Sequence, residues 1–302
     1  MPGTYFGPHS EQYSDYAFER HANLGRFPLG HTLILPDGRE YRFALNDGTV
    51  EIAGNLYQSV AAVADHNNTT ADVARAIAAT AISSTLGATA AAVDIYTEGV
   101  VHINDVTGEG YSYRIKRAMA AGDAHASAAT SSILTVNLAA GEVVKVALDT
   151  SSNVSYTRNR YHQTTIHVSP PTALLTGVSP GVAAANRFYW TQVKGYAAVL
   201  ANLTLLAGLP AQASIDINGA VETVKRRMQI SSTGSVLTAG TNLRAQIVDQ
   251  DGSDLALFMS VSVTTATVFD ITGGIANNSP VVGMCVKANA STDFALIDLN
   301  IR

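Results

Sequence analysis

Val-Val-His-Ile-Asn-Asp-Val-Thr-Gly-Glu-Gly-Tyr-Ser-Tyr-Arg-Ile-Lys, residues 100–116, is the stretch that decides the fold class. Its two ends, residues 100–104 and 111–116, alternate in polarity and carry β-branched and aromatic side chains, a pattern typical of half-buried strands. The residues between them, 105–110, supply two glycines for a turn. The stretch therefore predicts a β-hairpin.

Short β-prone runs separated by turns recur on both sides of this hairpin. Pro36-Asp37-Gly38 is one such turn, because proline fixes φ and glycine accepts a positive φ. Residues 71–81 are ambiguous, since Asn68-Thr69-Thr70 could cap an Ala-rich helix there, while residues 81–86 fit a strand equally well. Further strands are predicted at residues 31–35, 40–45, 49–53, 133–138, 142–148, 154–157, 187–193, 211–217, 220–224, 245–248, 255–269, 281–287 and 294–301. Strands with turns at this spacing predict an all-β protein.

The length of 302 residues suits two domains of ordinary size. Ser169-Pro170-Pro171-Thr172 is the candidate linker, because two prolines stiffen the chain and interrupt strand pairing. We therefore expect two antiparallel β-sandwich or barrel-like domains preceded by an extended N-terminal arm. The expected divisions are the arm at 1–28, a first β domain at 29–168, the linker at 169–172 and a second β domain at 173–302.

The composition is poor in charge. Charged residues make up 14% of the chain, against roughly 25% in an average soluble domain. The net charge of −5 includes no basic half or tail, so we expect no nucleic-acid partner. We also expect no signal peptide and no membrane span, because the apolar runs are too short, and we expect synthesis in a cytoplasm without export. The lone cysteine, Cys285, lies in an apolar run and is predicted to be a buried hydrophobe.

Motifs that carry chemistry do not stand out. The eight histidines show no recognised metal-ligand spacing, and no Gly-x-Ser-x-Gly elbow is present. We therefore expect no enzyme activity, no catalytic residue, no cofactor and no metal site. Asp249, Asp251 and Asp254 could surround Ca²⁺, although a polar turn is favoured because the spacing departs from an EF-hand. Lys225-Arg226-Arg227 is expected at a solvated strand end, and Trp190 in the core rather than on a sugar-binding platform.

The arm at residues 1–28 holds six aromatic residues between glycines and prolines, with no regular period of its own. Because burying an aromatic ring is favourable, we expect these rings to be covered. One interpretation is that the arm folds back on its own domain. The favoured one is that it docks on a neighbouring subunit or another protein, with anchors at Tyr5, Phe6, Tyr13, Tyr16 and Phe18.

Several stretches resemble tailed-phage virion proteins that decorate or cement the capsid. They are residues 35–46, 53–56, 85–89, 99, 104–115, 280–288 and 295–301, the last two being similar to the closing strands of head-decoration domains. The resemblance implies a β-rich structural protein on the outer surface of the virion capsid. It also implies self-association, often as a trimer, and binding between subunits of the major capsid protein.

Two other hypotheses stay open at this point. One is a phage tail, baseplate or fibre component. The other is a carbohydrate-binding or hydrolytic β domain, which a glycan panel would test.

Overall fold

The fold is known from a computed structural model. It describes residues 27–224, 280–288 and 293–301 in full, and the backbone alone of the short strands at residues 5–6, 236–237, 242–248, 254–262 and 267–268.

Almost all of the regular secondary structure in the described residues is β-strand. The described part contains no α-helix and one 3₁₀ turn at Ala64–His66. The strands are β1 (Tyr5–Phe6), β2 (Thr32–Ile34), β3 (Glu40–Leu45), β4 (Leu56–Gln58), β5 (Thr69–Thr70), β6 (Ala81–Thr85), β7 (Val100–Asp105), β8 (Ser112–Arg114), β9 (Ile133–Asn137), β10 (Asn153–Thr157), β11 (Thr165–Ile166), β12 (Leu175–Val178), β13 (Phe188–Leu200), β14 (Pro210–Ala213), β15 (Val221–Thr223), β16 (Val236–Leu237), β17 (Asn242–Val248), β18 (Asp254–Ser262), β19 (Thr267–Val268), β20 (Val281–Lys287) and β21 (Phe294–Asn300). The protein is all-β, as predicted.

The chain forms two compact units. One comprises Met1–Thr223 together with Ser279–Arg302, and the other comprises Val224–Asn278. The second unit is therefore an insertion in the sequence of the first, between β15 and β20. This division differs from the one expected at residues 169–172, because strands from both sides of that segment pair within one sheet.

The largest sheet of the first unit has eleven strands in the described part. Its main path runs β1-β2-β3-β13-β21-β20-β14-β15, with β4, β11 and β12 joined to it through β13. The pairs are antiparallel except β1 with β2. The long strand β13 lies at the centre, since its first half pairs with β3 and its second half with β21.

Smaller sheets complete both units. The first unit also contains a four-stranded sheet, β5-β10-β7-β8, and the pair β6-β9. The second unit contains the pairs β16-β19 and β17-β18 in its described part. The pairing of β7 with β8 is the hairpin predicted at residues 100–116.

Buried side chains form separate apolar clusters in the first unit. One lies on the four-stranded sheet and β6-β9, and another lies beneath β13, β20 and β21. A third is aromatic and places the rings of Phe43 and Trp190 5.0 Å apart. Trp190 is 5% exposed, which confirms that it belongs to the core. Cys285 is also buried, as predicted.

Two local predictions were wrong, and the ambiguity at residues 71–86 is resolved in favour of a strand, β6 at Ala81–Thr85. Residues 71–81 form no helix; Ala78 has a positive φ of 71°, and Arg75 pairs with Leu148 through a distant β-bridge. Residues 142–148 form no strand: Leu148 makes only the isolated bridge with Arg75, and the backbone N–H of Val144 donates to the carbonyl of Ala79. Residues 49–53 make a single bridge instead of a strand.

Candidate functional site

The middle of β13 is where the strand changes its neighbour from β3 to β21. Gly195, at this change, has a φ of 83°, and a Cβ there would lie 2.9 Å from Cγ of Arg39. Glycine suits this position because other residues adopt a positive φ only with strain. The buried side-chain amide of Gln192 donates to the carbonyls of Lys194 at 3.1 Å and Tyr196 at 3.0 Å. These hydrogen bonds fix the backbone on both sides of Gly195, and we call this part of β13 the bend.

A groove of about 1160 Å³ opens at this bend. Four exposed side chains from β13 and β21 line it as a block, in which Tyr196 lies opposite Asp298 and Lys194 lies opposite Asn300. Tyr196 is 59% exposed. The rest of the polar lining comes from the turn between β2 and β3, with Asp37 and Arg39, and from β3 itself, with Glu40 and Arg42. We call this site the Tyr196 groove.

The charges of the Tyr196 groove are largely paired. Lys194 Nζ lies 2.9 Å from Glu40 Oε1, and Arg39 Nε lies 2.6 Å from Asp37 Oδ2. The carboxylate of Asp298, by contrast, makes no hydrogen bond or ion pair with the described residues. The groove therefore offers an exposed aromatic ring beside polar groups with unused hydrogen-bonding capacity.

An apolar strip lies farther along the same sheet, on β20 and the loop before β14. We define it by Leu206, Leu209, Met284 and Val286, which are 57%, 42%, 44% and 40% exposed. The loop before β14 is joined to β20 through the backbone, because the carbonyl of Leu209 accepts a 2.9 Å hydrogen bond from the N–H of Cys285. Neighbouring exposed apolar residues of this kind are typical of protein interaction surfaces.

A second cavity, of about 480 Å³, lies within the first unit between β13 and the loop preceding β7. Its walls are mainly apolar, with Phe27, Ile95 and Phe188 among them. His162 also lines it, and burial lowers the pKa of this histidine to about 4, so its ring is neutral at physiological pH. The Nδ1 atom of His162 is buried without a hydrogen-bond partner among the described residues.

A buried carboxyl group lies in the loop after β3. Glu51 is 1% exposed, and burial raises its pKa to about 8. Its Oε1 accepts a 3.2 Å hydrogen bond from the hydroxyl of Thr164. The hydroxyl of Tyr189 lies 2.9 Å from the same Thr164 oxygen. The three side chains form a polar group enclosed by the core.

Three other histidines are buried and bonded to their surroundings. His66 Nε2 lies 2.9 Å from the carbonyl of Thr89, and His125 Nε2 accepts a 3.1 Å hydrogen bond from the N–H of Tyr96. His167 Nδ1 accepts one of 2.9 Å from a backbone N–H. Burial lowers the pKa of His125 and of His167. In the described part of the chain, no three His, Cys, Asp or Glu residues are grouped to hold a metal ion.

Most of the residues nominated from the sequence fall outside the described side chains. This holds for the arm residues Tyr5, Phe6, Tyr13, Tyr16 and Phe18, for Asp249, Asp251 and Asp254, and for Lys225-Arg226-Arg227. The backbone of Tyr5–Phe6 pairs in parallel with Leu33 and Ile34 of the same chain. Phe27, near the end of the predicted arm, packs on Trp190, and their ring centroids lie 5.4 Å apart.

The Tyr196 groove and the apolar strip were not foreseen from the sequence. Alternation in β13 gave a usable signal, because Lys194, Tyr196 and Ala198 share one face while Ala197 and Val199 share the other. That pattern could not show which face would be covered. For the apolar strip, no polar residues in the sequence indicated that its apolar side chains would be exposed.

A comparison of the chain with protein-family models, curated proteins and solved structures finds no match. Separately, none of the described residues form a helix with the length and hydrophobicity that a transmembrane segment requires.

Proposed function

We propose that this chain is a structural virion protein rather than an enzyme. In this proposal it binds the outer surface of a phage capsid, self-associates as a trimer and stabilises the shell by bridging major capsid subunits. The observation that carries the proposal is the apolar strip, because four large apolar side chains lie exposed on strand β20 and the adjoining loop before β14.

The strip supports assembly for an energetic reason. Burying a large apolar side chain is worth about 1.5–3 kcal/mol, so covering four half-exposed ones favours association. The buried neighbours Val282 and Cys285 fix the strand beneath the strip. Little backbone freedom is then lost on binding, which lowers the entropic cost of association.

The choice of a capsid partner rests on the resemblance of residues 35–46, 104–115 and 280–288 to phage decoration proteins. The low content of charged residues, 14%, is in keeping with a surface that is partly covered by neighbouring subunits. A tail or baseplate component would share this composition, so the location in the particle is the decisive measurement.

The first experiment locates the protein. Virions that carry it are purified, emptied of DNA and separated into heads and tails, and each fraction is probed with an antibody against the chain. The proposal expects the protein with the emptied heads. Recovery with tails alone, or absence from the particles, contradicts it.

The second experiment tests the strip. Met284→Lys places a charge in the strip, and Met119→Lys is the matched control, because Met119 is 54% exposed in a loop near the four-stranded sheet. In sedimentation velocity, the trimer dissociation constant of Met284→Lys should be at least tenfold higher than that of Met119→Lys. Equal self-association of the two variants would exclude the strip from the interface.

A further inference from the structure

We infer that the Tyr196 groove is a binding site for a neutral oligosaccharide. The inference goes beyond the proposed structural role, because it assigns a ligand to a part of the sheet that the apolar strip does not include.

The first argument is the shape of the block formed by Tyr196, Asp298, Lys194 and Asn300. Residues directly opposite in antiparallel strands have Cβ atoms about 5 Å apart, and alternate residues along a strand lie about 7 Å apart. The block therefore offers a surface about as large as one sugar ring. A pyranose has a face of C–H groups with slight positive charge, which suits the negative face of an exposed tyrosine ring.

The second argument is hydrogen bonding around the ring. Sugar hydroxyls both donate and accept hydrogen bonds, so they need carboxylates as acceptors and amides as mixed partners. Asp298 lies directly opposite Tyr196, and Asn300 lies on the same strand two residues further on. Neither side chain makes a hydrogen bond with the described residues. Both are thus available to a ligand seated on the tyrosine ring.

The third argument is charge. The groove is lined by three cationic side chains, Arg39, Arg42 and Lys194. It is also lined by three anionic ones, Asp37, Glu40 and Asp298. Since these charges balance, the groove provides no excess of either sign to select a charged polymer. A neutral sugar brings no charge of its own that the lining would have to pair.

The fourth argument is rigidity. The floor of the site is two paired strands, and the Gln192 amide holds the carbonyls on both sides of Gly195. Binding residues on strands are positioned more precisely than residues on loops, so less entropy is lost when the ligand binds. The groove, at about 1160 Å³, has the volume to hold more than one sugar unit.

The test is saturation-transfer NMR on the full-length protein. The probes are the neutral tetrasaccharides maltotetraose, cellotetraose, isomaltotetraose, mannotetraose and fully N-acetylated chitotetraose, with sialyllactose as a charged comparison. We expect transfer to the ring C–H protons of at least one neutral probe. Tyr196→Ala should weaken that binding at least tenfold, and Asn300→Ala should weaken it less.

The matched control is Tyr111→Ala, because Tyr111 is 42% exposed and lies beside the four-stranded sheet. It should bind as the unmodified protein does. The fluorescence of buried Trp190 reports that each variant is folded. The inference is overturned if no neutral probe binds, if only sialyllactose binds, or if Tyr196→Ala binds as tightly as Tyr111→Ala. Because Met284→Lys leaves the groove intact, sugar binding and assembly can fail independently.

Discussion

Inside the core of the first unit, Glu51 and Thr164 are joined by a 3.2 Å hydrogen bond from the Thr164 hydroxyl to Oε1 of the glutamate. The other carboxyl oxygen of Glu51 has no hydrogen-bond partner among the described residues. A buried carboxylate with an unpaired oxygen is costly, so the protonated acid is favoured. This relationship makes the stability of the fold depend on pH.

The free energy of unfolding should decrease as the pH rises from acidic to mildly basic, because Glu51 loses its proton over this range. Burial raises the pKa of Glu51 from 4.5 to about 8, so the folded state binds the proton more tightly than the unfolded state. The contribution is complete below the unfolded pKa and is lost as the pH rises through the folded pKa. Within this window it falls by at most about 1.4 kcal/mol for each unit of pH. Urea denaturation between about pH 5 and about pH 9 measures it.

Glu51→Gln removes the titrating group and should flatten this part of the pH profile. Glu109→Gln is the control, because Glu109 is exposed in the turn between β7 and β8. The free energy of unfolding of the control should follow that of the unmodified protein at every pH. A Glu51→Gln profile parallel to both would show that Glu51 does not titrate in this range.

The sequence predicted the class of the fold because its local signals and its tertiary pairing agree in most places. The hairpin at residues 100–116 and the strands at 40–45 and 281–287 depend on alternation and turn residues within a few positions. Residues 71–81 show where such reasoning ends. Their alanines favour a helix locally, but the backbone N–H and carbonyl of Arg75 bond to Leu148, 73 residues away.

The sites were harder to predict than the fold. Tyr196 lies just beyond Lys194, where the pairing of β13 with β3 ends and its pairing with β21 begins, and this arrangement is a property of the whole sheet. Glu51 was missed for a similar reason, since a single carboxyl in a loop is usually solvated. Its burial depends on Thr164 and Tyr189, which are more than a hundred residues away in sequence.

Gly195→Ala should destabilise the first unit by about 1–2 kcal/mol, because alanine pays this amount to adopt a left-handed conformation. The added Cβ would also lie 2.9 Å from Cγ of Arg39. Gly48→Ala is the control, because no atom lies within 4 Å of a Cβ at that position and its φ is not positive. Urea denaturation should separate the two variants. Equal stabilities would mean that β13 is not strained at the bend.

The last prediction concerns the aromatic residues of the arm. Tyr13, Tyr16 and Phe18 are replaced together by serine, which leaves the strand Tyr5–Phe6 and its pairing with β2 unchanged. If these rings dock on a capsid protein or a neighbouring subunit, the thermal midpoint of the isolated protein should hardly change. Attachment to particles should weaken at least tenfold, because one buried aromatic ring contributes about 1.5–3 kcal/mol.

The control for the arm is Tyr111→Ser, which removes one exposed ring at another position. Attachment of this variant to particles should equal that of the unmodified protein. If the triple variant instead unfolds at a lower temperature, the rings pack on their own domain, and the arm is part of the fold. If it is as stable as before and still binds particles with the original affinity, the rings contribute to neither. Measuring the thermal midpoint and particle binding on the same preparations therefore separates docking from folding back, since each predicts a loss in a different quantity.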